Sequence, residues 1–205
     1  MAEVMTYDSL TTDIQTYCER SDDPFVSQIP RFIMMAENRI ASEKKSFGLL
    51  RTVTGVMNGN VMQKPVRWRK TKNITLITST GRVTLKLRGY EYCRAYWPDP
   101  SKIDVPVYFA DYDYEHFFVV PTPAQAYQFE LQYYERPEPL DKSNQTNWLT
   151  QYAPQLLLYA SLIEAMPFLK TSERMQEFQG LYMAALNNIV SEDQERFINA
   201  SSVRG

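Results

Sequence analysis

The spacing of apolar and polar positions changes twice along the chain. Up to residue 50 apolar residues return every three or four positions, from 51 to 137 they alternate, and from 138 the helical spacing comes back. Leu10, Ile14 and Tyr17 predict a first helix, with Thr6 as its N-cap and Asp8 in the first turn, where the helix dipole favours negative charge. Ser21-Asp22-Asp23-Pro24 predicts a break, because the residue before a proline is steered out of the α region. Pro30 suits the first turn of a second helix. Its stripe is Ile33, Ala36 and Ile40, with Phe32 beside it, Glu37 at its border, and Asn38 and Arg39 turned away. Ser46-Phe47-Gly48 closes that segment.

In the middle zone the period falls to two. Arg51–Val56, Asn73–Thr78, Val107–Ala110, His116–Val120 and Tyr127–Tyr134 read as strands, and Arg82–Arg88 alternates almost without fault. That last run predicts one strand with an apolar face and a largely basic one, as in an antiparallel sheet wet on one side. Ser79-Thr80-Gly81, Asp111–Tyr114 and Pro121-Thr122-Pro123 read as turns. Beyond it, Asn147 caps a helix at Trp148, and Pro154 starts the next, with Leu156, Tyr159, Ala160 and Ile163 inward. Pro167 is expected to bend or end it. A long helix from about Ser172 to Phe197 follows, carrying Met175, Phe178, Tyr182, Ala185 and Ile189 on one stripe.

The expectation is an α+β fold: an antiparallel bundle of about four helices with an inserted small antiparallel β-sandwich or barrel-like domain. Residues 1–50 and 138–199 would form the helical body, 51–137 the insertion, and 200–205 a flexible C-terminal arm. Leu181 and Leu186 flank the last stripe and broaden it beyond what one partner helix needs, which marks them as candidates for a contact between subunits. Ala200, Ser201, Ser202, Val203, Arg204 and Gly205 have no core of their own and read as an arm that orders on docking.

Composition narrows the function. The 205 residues hold 44% hydrophobic and 22% charged positions, which excludes disorder of the whole chain. No apolar run approaches the ~20 residues of a membrane span, and no secretory signal opens the chain, so a soluble intracellular protein without membrane partner is expected. Cys18 and Cys93 read as reduced thiols. They lack zinc spacing, and His116 is the only histidine. No nucleophile elbow, P-loop or dinucleotide fingerprint occurs. The pairs Asp22/Asp23 and Asp111/Asp113 are explained by turn chemistry. No catalytic, cofactor-binding or metal site is assigned, and no enzyme is expected.

Charge is uneven. The net charge is −2, yet Arg51 to Arg94 holds ten cations against Glu91 alone, a local balance of +9. The candidate contact patch is Arg67, Arg69, Lys70, Lys72, Arg82, Lys86 and Arg88, with Trp68 interleaved as on nucleic-acid surfaces. It reads first as a solvated sheet face, next as a contact for an acidic protein, and last as a phosphate contact. Tyr90 to Tyr134 holds nine of the 14 tyrosines. With Trp68, the candidate interface aromatics are Tyr90, Tyr92, Tyr96, Trp97, Tyr112 and Tyr114, since tyrosine joins a large apolar body to a polar tip.

The order of motifs resembles the head-to-tail adaptor family of tailed bacteriophages, especially the short-tailed type. It is carried by Ile29–Ile40, Pro106–Ala110, Val119–Pro123, Leu131–Tyr134, Asn147–Leu149 and Ala153–Ala165, over roughly residues 5–190. The resemblance implies a structural virion protein. Such a protein makes a homo-oligomeric, twelvefold ring under the portal protein and links it to the tail nozzle or tail tube, leaving a channel through which DNA passes. It implies a place in the neck of the virion, and in the host cytoplasm before assembly. The competing readings are a nucleic-acid-binding module using the basic β domain and a tail-associated hydrolase.

Overall fold

Thr6 opens the first helix with a reciprocal cap: its Oγ1 accepts from the Ser9 N–H at 3.1 Å, and Ser9 Oγ accepts from the Thr6 N–H at 2.9 Å. In the computed structural model, which describes residues 4–43, 47–170 and 174–202, this is α1 (Tyr7–Cys18). There follow α2 (Asp23–Val26), α3 (Ile29–Glu43), a 3-10 turn (Phe47–Leu49), β1 (Leu50–Met57) and β2 (Val61–Gln63). Next come β3 (Trp68–Thr78), β4 (Gly81–Thr84), β5 (Lys86–Leu87), α4 (Tyr90–Tyr96) and β6 (Ile103–Asp104). The chain continues through β7 (Tyr108–Asp111), β8 (His116–Val120), β9 (Thr122–Pro123) and β10 (Tyr127–Glu135). It ends on α5 (Trp148–Tyr152), α6 (Pro154–Leu169) and α7 (Met175–Ser202). Two compact units result: a helical one, Met1–Leu49 with Arg136–Gly205, and a β unit, Leu50–Glu135.

In the helical unit α3 and α7 both pack on α6, and α1 lies against α6 and α3. Leu10, Ile14, Ile33, Ala36 and Ile40 are buried as their spacing predicts, with Phe178, Tyr182 and Ala185 of α7. Because helices cover α6 on several sides, Leu156, Leu157, Leu158, Ser161, Leu162 and Met166 are all buried, not one stripe alone, while Tyr159 is only half-buried. Ala153, forced out of helical geometry by Pro154, separates α5 from α6. Pro167 does not itself end α6; the helix runs on to Leu169 and stops at Lys170 in the left-handed region. Near a helix end the proline forfeits one backbone bond and little else. Gly48 is required: a Cβ there would run into the Trp148 indole.

The β unit holds two four-stranded sheets, ordered β1-β10-β3-β4 and β2-β8-β7-β5, and a small β6-β9 pair. Side chains from both larger sheets, including Met57, Ile74, Leu76, Leu131, Phe109, Phe117 and Val119, share one buried cluster. Three expectations are corrected. The sheets are not purely antiparallel, since β5–β7 and β6–β9 are parallel, and neither closes into a barrel. The run Arg82–Arg88 is not one strand: at the buried Leu85 the chain leaves the first sheet as β4 and joins the second as β5, so the alternation is shared between two sheets. A helix, α4, stands where only strands were expected.

Candidate interaction surfaces

The basic stretch does not form one platform. At the start of β3 the pairing with β10 slips twice, so Lys72 and Arg69 are the extra residues of two β-bulges, a device that re-aims side chains. The buried Glu135 closes this end of the sheet. Arg51 Nε donates to it at 2.8 Å, and Arg67 reaches it at 3.4 Å. Arg67 and Arg69 are half-buried, whereas Lys70 and Lys72 are exposed. Arg82, on β4, lies 3.9 Å from Glu130 of β10. Lys86 and Arg88 belong to the second sheet's edge, both exposed. The outer face of the first sheet is mostly neutral: Thr75 and Thr84 hydrogen-bond at 3.2 Å, and Asn73 donates to Gln132 at 3.3 Å. Acids from elsewhere in the unit return on folding, so Leu50–Glu135 carries eleven cations against eight carboxylates, +3, and the remainder of the chain −5.

Lys64, counted in that stretch as one more cation, has a side chain only 3% exposed. Its ammonium donates to Asp111 Oδ1 and to the Asp113 carbonyl, each at 2.8 Å. It also stands 4.0 Å from the Trp68 ring centre and 4.9 Å from that of Phe117. Trp68 is thereby engaged inside the unit, edge-on to Phe117 and donating its indole N–H to Thr71 Oγ1 at 3.0 Å. Nothing in that arrangement favours stacking of Trp68 on a nucleobase. Asp111 sits at the end of β7 as the lysine's counter-ion, and Asp113 accepts from His116 Nδ1 at 3.0 Å or shares its proton. Turn and ion-pair geometry account for both carboxylates. Among the described residues no three His, Cys, Asp or Glu gather as a metal site would require.

The remaining aromatics do converge. On α4, Tyr92 and Tyr96 stack at 6.3 Å, and both meet Tyr108 of β7 edge-on, at 5.5 and 4.9 Å. Tyr90 packs on Tyr112 and Phe118, and Trp97 donates its N–H to the Lys102 carbonyl at 3.0 Å. The Arg88 guanidinium stands 5.7 Å from the ring centre of Tyr92 and 5.6 Å from that of Tyr108. Tyr92, Tyr96 and Tyr112 remain exposed, so this is a tyrosine surface with a cation on it. Tyr114 is exposed on the β7–β8 turn.

In the helical unit polar groups join elements. Arg39, expected to turn away, binds Glu164 of α6 at 2.6 Å, and the Tyr182 hydroxyl donates to Glu43 at 2.6 Å. Burial and that bond push the Tyr182 phenol well up. Glu37, expected at the border of its stripe, is buried. Its carboxylate accepts from Asn147 Nδ2 at 2.7 Å, while Asn147 Oδ1 caps α5 through the Leu149 and Thr150 N–H groups. Burial pushes the Glu37 carboxyl up to about 7, against the pull of the Asn147 and Leu140 hydrogen bonds. A border position gives no sign of this, because the partner lies 110 residues away.

The candidates for a contact between subunits divide. Leu181 is exposed, whereas Leu186 is 2% exposed and belongs to the chain's own core. Surface methionines not singled out by the sequence, Met34, Met35 and Met183, stand out on α3 and α7. Of the expected arm, Ala200, Ser201 and Ser202 are the last turn of α7, not a separate segment, since no proline or glycine precedes them to stop the helix. Val203, Arg204 and Gly205 lie outside the described residues. No described helix is long and apolar enough to cross a membrane.

Among known families, the model of one described as SU10 adaptor protein matches residues 5–204, in agreement with the resemblance read from the motifs. No curated protein matches the chain.

Proposed function

The chain belongs to the SU10 adaptor protein family and is thus a structural phage adaptor, and from that premise we propose that it is a head-to-tail adaptor acting by binding alone. Twelve copies form a ring under the portal, join it to the tail nozzle or tail tube, and leave a channel for the genome. The protein resides in the virion neck after assembling from the host cytoplasm. The β unit is an insertion into a helical body, and the body supplies the ring.

The observation that carries this reading is the family match over nearly the whole chain. Physical support comes from the helical unit, where Met34, Met35, Leu181 and Met183 keep apolar surface in water beyond what the unit's own core uses. Two different patches meeting head to tail generate a ring when the rotation closes. Many weak contacts acting together then suffice for a stable joint. The distal part of α7 supports the docking role. Ser191, Glu192, Gln194 and Glu195 are exposed there and offer a polar surface to the portal or nozzle.

The test is the double variant Met34→Glu, Leu181→Glu. Both side chains are exposed, so the melting temperature should stay within the change expected of about 0.5 kcal/mol. Electron microscopy of the purified chain mixed with its phage's portal should show rings for the wild type and none for the variant. Rings formed equally well by the variant would overturn the assignment of these helices as the seam.

A further inference from the structure

The first sheet of the β unit has two edges of unequal length. On one side is β1, eight residues paired along its whole length with β10 in an unbroken register. On the other is β4, four residues paired only with β3. A long edge strand normally carries a proline, a lysine or a bulge to keep other strands away. Leu50–Met57 has no proline, lysine or bulge, its one charge, Arg51, is drawn to Glu135, and it holds Thr52, Val53, Thr54 and Val56, residues suited to strand pairing. The edges of the second sheet, β2 and β5, are three and two residues long. Beside β1 opens a cavity of about 300 Å³, lined by Val56, Met57, Val61, Met62 and Phe129 and by no charged side chain. Val56 is 61% exposed beside it, while the Phe129 ring lies over Gly55. This is the place where one more strand would complete the sheet and cover apolar surface.

We infer that β4 of a second copy pairs with β1, so that the first sheet runs on from subunit to subunit. The inference rests on the ring proposed above. Charge selects β4 as the occupant. Glu130 sits on β10, two strands in from β4, and takes the chain's own Arg82 across β3 at 3.9 Å. A neighbour's β4 laid on β1 would again be two strands from Glu130, now across β1, and would bring its Arg82 to the same carboxylate from the other side. Arg82 has the reach, with a side chain 68% exposed. Pairing β4 with β1 joins two different edges, which propagates around a ring, whereas β1 with β1 would stop at a dimer. Four strands at about 4.8 Å advance the sheet about 19 Å per copy, so twelve copies trace a circumference of about 230 Å.

The experiment places cysteines on both edges, Thr54→Cys with Thr84→Cys, in a full chain carrying Cys18→Ser. A short bismaleimide is added under conditions where wild-type rings are seen by electron microscopy. The expected result is a ladder of covalent oligomers extending past the dimer, absent from either single variant. Thr54→Lys with Val56→Lys, both pointing to solvent, should leave far-UV circular dichroism unchanged and raise the protein concentration needed for rings at least tenfold. Rings without a ladder would overturn the strand pairing and leave the ring standing. A dimer from Thr54→Cys alone would mean that β1 meets β1, which also overturns it. If wild-type chains make no ring with portal present, the reading beneath the inference fails as well.

Discussion

The helical unit and the β unit treat buried charge in opposite ways. In the β unit each buried ion faces a counter-ion: Lys64 has Asp111, and Glu135 has Arg51 and Arg67. In the helical unit the buried Glu37 is held by neutral groups, the Asn147 amide and the Leu140 N–H. A carboxyl held by amides in an apolar site titrates near neutrality. The helical unit thus has a joint that responds to pH. Their surfaces differ too, with methionine and leucine exposed on the helices and tyrosine with arginine around α4.

Three substitutions sharpen or break this contrast. Phe178→Ala removes a fully buried ring that ties α7 to the helical core, and should cost about 4 kcal/mol in urea unfolding. A cost near 1 kcal/mol would mean that α7 is held by polar contacts instead. Glu37→Gln comes next. The folded carboxyl titrates near 7 and the unfolded one near 4.5, so between those values the folded state holds the extra proton. Stability must therefore fall as pH rises through that window, by up to about 3 kcal/mol, and stay low above it. Unfolding midpoints from pH 4 to 8 should show this fall in the wild type and lose it in Glu37→Gln; an unchanged profile would remove the contrast between the units. Lys64→Ala is the smallest, about 2 kcal/mol. It breaks a buried pair, but Asp111 is 57% exposed and can return to water. Lys64→Met should recover part of the loss by filling the space between Trp68 and Phe117, and a salt titration should scarcely change either value.

Local signals were readable where short-range physics decides. The Thr6 cap, the stripes Leu10/Ile14 and Ile33/Ala36/Ile40, the Asn147 cap and the Phe178/Tyr182/Ala185 row all depend on neighbours three or four residues away. The family resemblance was readable from the order of apolar motifs for the same reason. What escaped depends on distant partners. Tyr90–Tyr96 has the aromatic composition of a strand, and it is helical because Cys93 buries against Ala110, Phe118 and Val120. Arg82–Arg88 alternates well enough for one strand, and nothing local marks the change of sheet at Leu85. Arg67 meets Glu135 across 68 residues, and a count over a sequence window read +9 where the folded unit Leu50–Glu135 as a whole carries +3.

The pairing of Leu50 with Tyr134 means that the chain enters and leaves the β unit on adjacent strands, about 5 Å apart. A segment whose two ends meet so closely behaves as a cassette. It can be swapped for a longer or shorter one, or excised by splicing Leu49 to Arg136 through a tight turn, without stretching the framework that hosts it. Variation within the family is therefore free to concentrate in this cassette, while the helices keep their own geometry.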